Sequence, residues 1–248
     1  MKNQVILHIP HSSTNIPIMD GYTVGEQFLA DEMLKLTDWY TDDLFFSDED
    51  RMVRADFSRI FCDPERFTDD SQEVMAQYGM GVLYEKSDEG EIIRIVTPEL
   101  KEKVLNEYYR KHHRIFSDEV NNQLQLFGKA LIIDCHTYPG KPLKRDQDQT
   151  RNRPDFNIGT DPYHTPKYLI DVSIDFFRTK GYSLGIDRPY KGSIVPLEHY
   201  QKNKNVQTIM LEINRNLYLK EPTNEKSAQY PEIKNVTSKF IKTLNTSL

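Results

Sequence analysis

The sequence predicts an α/β fold, with one domain of three layers in which helices cover both sides of a mixed, mainly parallel sheet. Ala130–Ile133 is continuously apolar, as a strand is when both of its faces are covered in a parallel sheet. A long amphipathic pattern precedes it, so helix and strand alternate. Three strand-like segments also end in polar side chains, and ligands of open α/β sheets bind beyond the carboxyl ends of the strands.

Length and composition limit the possible classes of protein. The 248 residues suffice for one sizeable α/β domain, and no repeat or boundary divides residues 1–248. A formal net charge of -6 argues against a nucleic-acid binder, and no apolar run approaches the roughly 20 residues that span a bilayer. With only Cys62 and Cys135, we expect no disulfide framework and a cytoplasmic location. The sequence leaves the oligomeric state open.

Apolar runs bounded by turn residues predict the strands. The last of them alternates apolar and polar residues, and the run before Asp134 is continuously apolar. Polar residues interrupt the second, which ends at a Cys-Asp-Pro break. In chain order the predicted strands are Val5–Ile9, Arg51–Phe61, the run from Ala130, a short strand from Phe156, Tyr182–Ile186 and Gln207–Ile213.

Helices are predicted where apolar residues recur with a helical period. The longest pattern follows Thr97, has Pro98 in its first turn and stops at Gly128, a residue suited to a helix C-terminus. The charge-rich segment Lys141–Pro154 predicts a mobile loop beside the site. The other predicted helices cover residues 26–36, a short segment capped by Thr37 or Asp38, residues 166–181 and residues 230–244.

The strand ends carry the candidate functional residues. The central run leads into Asp134 and His136, and burying such groups costs several kcal/mol unless they are hydrogen-bonded, paired or bound to metal. A simple alternative is that His136 only caps the strand through Asp134. The first strand leads into His11. Glu212 lies in the last strand, where an ion pair with Arg215 or a lysine is the structural alternative.

Two further groups of charged residues are candidates. Asp38 and Asp42 are four residues apart, where a nearby cation or metal would relieve their repulsion, although acidic residues also suit a first helical turn. Arg59 and Arg66 flank a strand break and are suited to grip a carboxylate, with surface ion pairs to nearby acids as the alternative. His112 and His113 point about 100° apart on a helix, so both cannot bind one ion.

Together these residues predict a metal-dependent hydrolytic site. Two imidazoles and one carboxylate are a ligand set of catalytic zinc, with a fourth position left for water. A further carboxylate is then available as a general base. The set comprises His11, Asp38, His136 and Glu212.

The chain resembles the N-formylglutamate amidohydrolase family, which is similar in fold to the zinc carboxypeptidases and aspartoacylases. The resemblance implies a zinc exopeptidase-like, phosphorylase/hydrolase-like fold. LIIDCHT together with MLEINRNLY is its most specific pair of motifs. The other matching segments are PHSSTNIP, TDWYTDDLF, SRIFCDPERF and RPYKGS.

The resemblance also implies roles for individual residues. His11 and His136 would be metal ligands and Glu212 the general base. In the carboxypeptidases the ligand glutamate closely follows the first histidine, whereas hydroxyl residues follow it here; Asp38 is our substitute, with Asp42 in reserve.

The arginine segment implies the substrate contacts. Arg66 would grip a substrate carboxylate, and Arg59 would polarise the carbonyl or stabilise the oxyanion. Asn214 is also assigned to substrate binding. The family segment usually ends in Asn-Arg, and Glu65 stands at the penultimate position here.

The expected function is zinc-dependent hydrolysis of a small acidic acyl amino acid, most simply N-formyl-L-glutamate to formate and L-glutamate in histidine degradation. One zinc ion is expected per chain, with another divalent metal as an option. The alternatives are a metal-dependent peptidase or deacylase acting on another acidic acyl amino acid or a cell-wall peptide, and a metal-free carboxylate-binding protein on the same fold.

Overall fold

A six-stranded sheet organises residues 4–246, the part of the chain that the computed structural model describes. The strands lie in the order β2-β1-β3-β6-β4-β5, and every neighbouring pair is parallel except β4 and β6. The predicted mixed, mainly parallel sheet is therefore confirmed. The strands are β1 Ile6–Ile9, β2 Arg51–Arg54, β3 Ala130–Tyr138, β4 Phe156–Gly159, β5 Leu184–Ile186 and β6 Val206–Asn214.

The helices lie close to their predicted positions. The long pattern forms α3 and α4, joined by a π-helical turn at Leu105–Tyr109. The Thr97 side chain caps its start and Gly128, with φ 72°, ends it. The helices are α1 Glu26–Leu36, α2 Thr41–Leu44, α3 Pro98–Val104, α4 Arg110–Phe127, α5 Lys167–Lys180 and α6 Tyr230–Thr246.

The prediction of a strand over Arg51–Phe61 is wrong beyond Arg54. Residues 55–61 form turns in which Phe61 and Cys62 donate backbone hydrogen bonds to the Ser58 carbonyl. Ser58 itself donates to the carbonyl of Asn15. These local bonds use the backbone groups that a continuing strand would have offered to β1.

The two faces of the sheet pack against different helices. Odd-numbered residues of β1 and β3, such as Leu7 and Ile133, share a core with Phe177 of α5 and Phe240 of α6. Even-numbered residues of the same strands pack against α4, as Ile6 and Ile132 do beside Phe116 and Val120. Because side chains alternate along a strand, the polar residues His8, Asp134 and His136 lie on the α4 side.

Both cysteines in the described chain, Cys62 and Cys135, are buried and free, as expected. Within residues 4–246, no helix is sufficiently long and apolar to cross a bilayer.

Candidate active site

The candidate site lies at the carboxyl ends of the central strands. His136 of β3 and Glu212 of β6 are paired in register, so they project from neighbouring strands on the same face. They border a cavity of about 660 Å³, which we call the central cavity. Its lining includes His11, Asp38, Arg59, Arg66, His136 and Glu212. The fold thus brings together residues that are as much as 201 positions apart, from 11 to 212.

Each predicted ligand histidine has one ring nitrogen next to a buried aspartate. His11 Nε2 lies 2.8 Å from Asp63 Oδ1, and His136 Nε2 lies 3.1 Å from Asp134 Oδ1. An ionised carboxylate only accepts hydrogen bonds, so Nε2 carries the hydrogen on both rings. This leaves Nδ1 of each ring for another partner, the arrangement that fixes metal-binding histidines. The hydrogen bond between His136 and Asp134, which the structural alternative for His136 invoked, is therefore present as well.

Asp38 lies on the Nδ1 side of both rings. Its Oδ2 is 3.1 Å from His136 Nδ1 and 3.6 Å from His11 Nδ1. His11 Nδ1 is buried and has no hydrogen-bond partner among residues 4–246. Arg215 Nη2 donates to the other oxygen, Oδ1, over 3.0 Å, which keeps Oδ2 turned to the histidines. His11, His136 and Asp38 therefore fit a divalent cation, because the unpaired Nδ1 of His11 faces the anionic Oδ2 of Asp38.

The electrostatic environment of His136 and Asp38 also favours a positive charge between them. Burial alone would lower the pKa of His136, but Glu65 and Asp134 raise it well above its usual value. Burial alone would raise the pKa of Asp38, but the neighbouring imidazoles of His11 and His136 hold it below its usual range. Without a metal, His136 therefore holds a proton tightly, and a metal ion would compete for the same place.

Glu65 lies on the opposite, Nε2 side of the histidines. Its Oε2 is 3.2 Å from His136 Nε2 and 3.8 Å from His11 Nε2, and one ligand atom from each of these three residues lies within 4.8 Å of the other two. The sequence marked Glu65 only as a departure from the family pattern. The Nε2 atoms of His11 and His136 carry hydrogens that point to Asp63 and Asp134, so they have no lone pair for a metal ion. The Nδ1 side, where Asp38 lies, is therefore the better candidate for the metal site.

The reserve ligand Asp42 is not at the site. Its carboxylate is 38% exposed and pairs with Arg54 at 3.1 Å. The helix expected to carry Asp38 and Asp42 on one face begins only at Thr41, after Tyr40 in a left-handed conformation with φ 65°. Asp38 thus lies in the turn before this helix, and its carboxylate faces His11 and His136 instead of sharing a helix face with Asp42.

Glu212 has the environment of an unpaired carboxyl group. It is buried, and its Oε2 finds no hydrogen-bond partner within the described chain. Burial raises its pKa to about 8, against the smaller opposing effect of His136. The alternative role in an ion pair with Arg215 is not realised, since that guanidinium binds Asp38, Thr137 and the Lys35 carbonyl.

The two arginines converge on one buried carboxylate. Arg59 donates from Nη2 to Asp63 Oδ2 over 3.0 Å and from Nε to the Tyr84 hydroxyl over 3.2 Å. Arg66 Nε lies 3.8 Å from both Asp63 and Glu73, and in the part of the chain described it has no hydrogen-bond partner. Both guanidinium groups border the central cavity.

Asn214 has no contact with the central cavity as lined by residues 4–246. Its amide donates to the Pro154 carbonyl over 3.0 Å, and its oxygen accepts from the Asn216 N–H over 3.1 Å. Both ends of the side chain therefore hold the backbone after β6, which gives Asn214 a structural role in place of the expected substrate contact.

Behind the site, a row of buried imidazoles supports Asp134. His8 Nδ1 lies 3.0 Å from Asp134 Oδ1, and His8 Nε2 lies 3.0 Å from His112 Nε2. His113 instead bonds the Pro64 carbonyl over 2.8 Å. The two neighbouring histidines of α4 therefore point to different partners, as expected from their angular separation.

The loop at residues 141–154 borders the central cavity through Arg145 and Asp146. Asp88 accepts the backbone N–H groups of Lys144 and Arg145 over 3.0 and 2.9 Å, and Arg153 bonds Asp146 over 2.7 Å. The predicted position of this loop beside the site is confirmed.

Comparisons place these features among known proteins. A family model described as N-formylglutamate amidohydrolase matches residues 3–219. Two proteins named N-formylglutamate deformylase, from Pseudomonas putida and Pseudomonas aeruginosa, are each 24% identical to the chain over 88% of its length and 82% of theirs. A crystal structure of N-formylglutamate amidohydrolase from Ralstonia eutropha JMP134 has a TM-score of 0.87 at 22% identity, over 99% of this chain and 94% of that one. A gene product of Agrobacterium tumefaciens has a TM-score of 0.66 at 14% identity, over 100% and 91%.

Proposed function

Because the chain belongs to the N-formylglutamate amidohydrolase family, we propose that it hydrolyses the amide bond of an N-acyl amino acid with an acidic amino acid part. N-formyl-L-glutamate is the reference substrate, as the names of the Pseudomonas relatives suggest. The observation that carries this proposal is the unpaired Glu212 carboxyl, which lies in one cavity with two histidines whose Nε2 hydrogens are already committed.

We assign His11, Asp38 and His136 as the ligands of one divalent cation, most simply zinc. The donor set suits zinc, and the aspartates behind both histidines are typical of such sites. A cation held there would lower the pKa of a water molecule and polarise the substrate carbonyl.

Glu212 is the proposed general base. Its carboxylate takes a proton from the attacking water and returns it to the nitrogen of the breaking C–N bond. The raised pKa suits this exchange, because a group that titrates near neutral pH both accepts and releases a proton readily. The absence of an internal partner for Oε2 among residues 4–246 leaves that atom for water or substrate.

The arginines are proposed to fix the substrate. Arg66 Nε has an unused hydrogen in the described structure, which a substrate carboxylate would accept. Arg59 is held by Asp63 and Tyr84, so its guanidinium is oriented before substrate arrives and would stabilise the developing oxyanion.

Metal content and turnover test this proposal together. We expect about one zinc ion per purified chain and formate release from N-formyl-L-glutamate that a chelator abolishes and added zinc restores. Zinc without turnover of any N-acyl amino acid would contradict the hydrolase assignment. Turnover that persists after complete metal removal would contradict the assigned role of the cation.

A further inference from the structure

A second cavity of about 410 Å³ adjoins the central cavity. Glu65, Arg66, Lys191 and Met210 line both cavities, so they form a common boundary. Asp134 also lines the second cavity and pairs in register with Met210, one same-face step before the His136 and Glu212 pair. Same-face residues along a strand are roughly 7 Å apart. The second cavity therefore begins roughly 7 Å from His136 and Glu212, a distance that a short acyl chain can span.

The linings of the two cavities differ in chemistry. Charged side chains dominate the central cavity, whereas large apolar and aromatic side chains form much of the second. Three of these are unusually exposed for their type: Phe67 at 47%, Leu197 at 63% and Tyr200 at 38%. Clustered exposed apolar side chains at a cavity mouth are typical of a ligand site.

Two acidic groups that reach the second cavity away from its boundary with the central cavity, Asp134 and Asp161, are already paired internally, whereas Glu65 lies at that boundary. Asp134 Oδ2 accepts the Ile194 N–H over 3.1 Å, and its Oδ1 contacts His8 and His136. Asp161 Oδ1 accepts the backbone N–H groups of Tyr163 and His164, both over 2.8 Å. These carboxylates therefore do not require a cationic ligand, and the space beside them is open to an apolar group.

We propose that the second cavity binds the acyl chain of the substrate, so that the preferred substrates are acidic amino acids carrying an apolar acyl group of several carbons. This inference rests on the proposed function. A formyl group has only hydrogen beyond its carbonyl carbon and would leave the second cavity unfilled. In the reaction the acyl C–N bond breaks, and water supplies the hydroxyl of the released carboxylic acid and the proton on the released amine.

A series of acyl lengths tests the inference directly. We expect kcat/KM to rise from N-formyl- through N-butanoyl- to N-hexanoyl-L-glutamate, by about fourfold for each methylene that becomes buried. If N-formyl-L-glutamate is hydrolysed and the longer substrates are worse, the inference is overturned and the proposed function stands.

A variant at the cavity mouth adds a structural control. Leu197→Asp places a charge in the second cavity on a side chain that is already largely exposed, and it should lower the ratio of kcat/KM for N-hexanoyl- over N-formyl-L-glutamate about tenfold or more. Leu126→Asp is the matched control, since Leu126 is 56% exposed on α4 and borders neither cavity described for residues 4–246. An unchanged ratio in Leu197→Asp would oppose the inference.

Binding separates this inference from the proposed function if no substrate is turned over. Calorimetry would then measure the dissociation constants of the three acylglutamates with the metal-loaded protein. Tighter binding with acyl length, weakened by Leu197→Asp, supports the acyl site even though the hydrolase assignment has failed. Equal or absent binding across the series overturns it.

Discussion

At the residue scale, Asp38 and Glu65 approach the same two imidazoles from opposite sides. Only the Asp38 side has an unpaired imidazole nitrogen, as judged over residues 4–246. Arg215 fixes the remaining oxygen of Asp38, whereas Glu65 Oε1 is buried without a hydrogen-bond partner in the same described range. Asp38 is thus held in one orientation by its surroundings, and this difference leads to a prediction about metal affinity.

Replacement of Asp38 by Asn should weaken zinc binding by more than about 100-fold, beyond the 10–100-fold typical of outer-shell partners. Glu65→Gln should change it by less than about tenfold. Competition with a chromophoric chelator measures both affinities, and Asp42→Asn serves as the control because Asp42 lies at the surface with Arg54. A larger loss in Glu65→Gln than in Asp38→Asn would make Glu65 the ligand.

Glu212→Gln should retain the metal but lower kcat by roughly 10²–10⁴, the usual scale for removing a general base. The amide keeps the shape of the side chain and cannot accept the proton. Steady-state kinetics and metal analysis on the same sample measure the two effects, with Glu26→Gln on the exposed face of α1 as the control. Near-normal turnover in Glu212→Gln would remove it from the mechanism.

At the element scale, the sheet separates the reacting groups from a large part of the core. The site residues of β3 project to the α4 side, whereas α5 and α6 cover the other face. Two hydrogen bonds attach residues 64–66 to the π-helical turn and α4. Tyr109, the last residue of that turn, donates to the Arg66 carbonyl over 3.0 Å, and His113 of α4 bonds the Pro64 carbonyl. Stability and site geometry therefore depend on different helices.

Phe240→Ala in α6 should lower the free energy of unfolding by about 3–5 kcal/mol, since the ring is fully buried and its centroid lies 4.8 Å from that of Phe177. Urea unfolding measures the loss, and Lys239→Ala, an exposed neighbour on the same helix, should change stability by no more than about 0.5 kcal/mol. The zinc affinity of folded Phe240→Ala should match that of the unaltered protein. A large change in affinity would show that α6 also shapes the site.

The elements that could be predicted from the sequence are those with a local pattern of apolar residues. Apolar runs identified β1, β3 and β6, and their common direction explains why His11, His136 and Glu212 were expected together. The extension of β2 failed because turns around Ser58 compete with the strand. Arg215 was missed as a partner of Asp38 because the two are separated by 177 positions, and no local pattern reports such a contact.

At the scale of the whole molecule, the buried charges make stability depend on pH. Asp38, Asp63 and Asp134 have lowered pKa values, so the stability they contribute is present above the unfolded pKa of about 3.9 and is lost as pH falls through their folded values. Glu212 and His136 have raised pKa values, so the native state binds protons that the unfolded state has released. Their contribution decreases as pH rises.

For the metal-free protein we therefore expect the melting temperature to fall as pH is raised from about 6.5 to 8, an interval in which His112 and His113, whose pKa values burial lowers, are neutral in both states and Glu212, with a pKa of about 8, still holds its proton only in the native state. Calorimetric scans after chelation measure this slope. Glu212→Gln removes one titrating group and should flatten it. A melting temperature that rises over this interval would contradict the sign of both raised pKa values.

The position of β6 has a consequence for the order in which the chain is synthesised. This strand lies between β3 and β4 in the sheet, yet it follows β4 and β5 in the chain. On the ribosome, β4 and β5 must therefore emerge with the edge of β4 still unpaired, until residues 206–214 insert beside it. The same insertion brings in Glu212, and Arg215 follows three residues later, so a nascent chain lacks both the proposed proton acceptor and the hydrogen-bond partner of Asp38 until the last strand has docked.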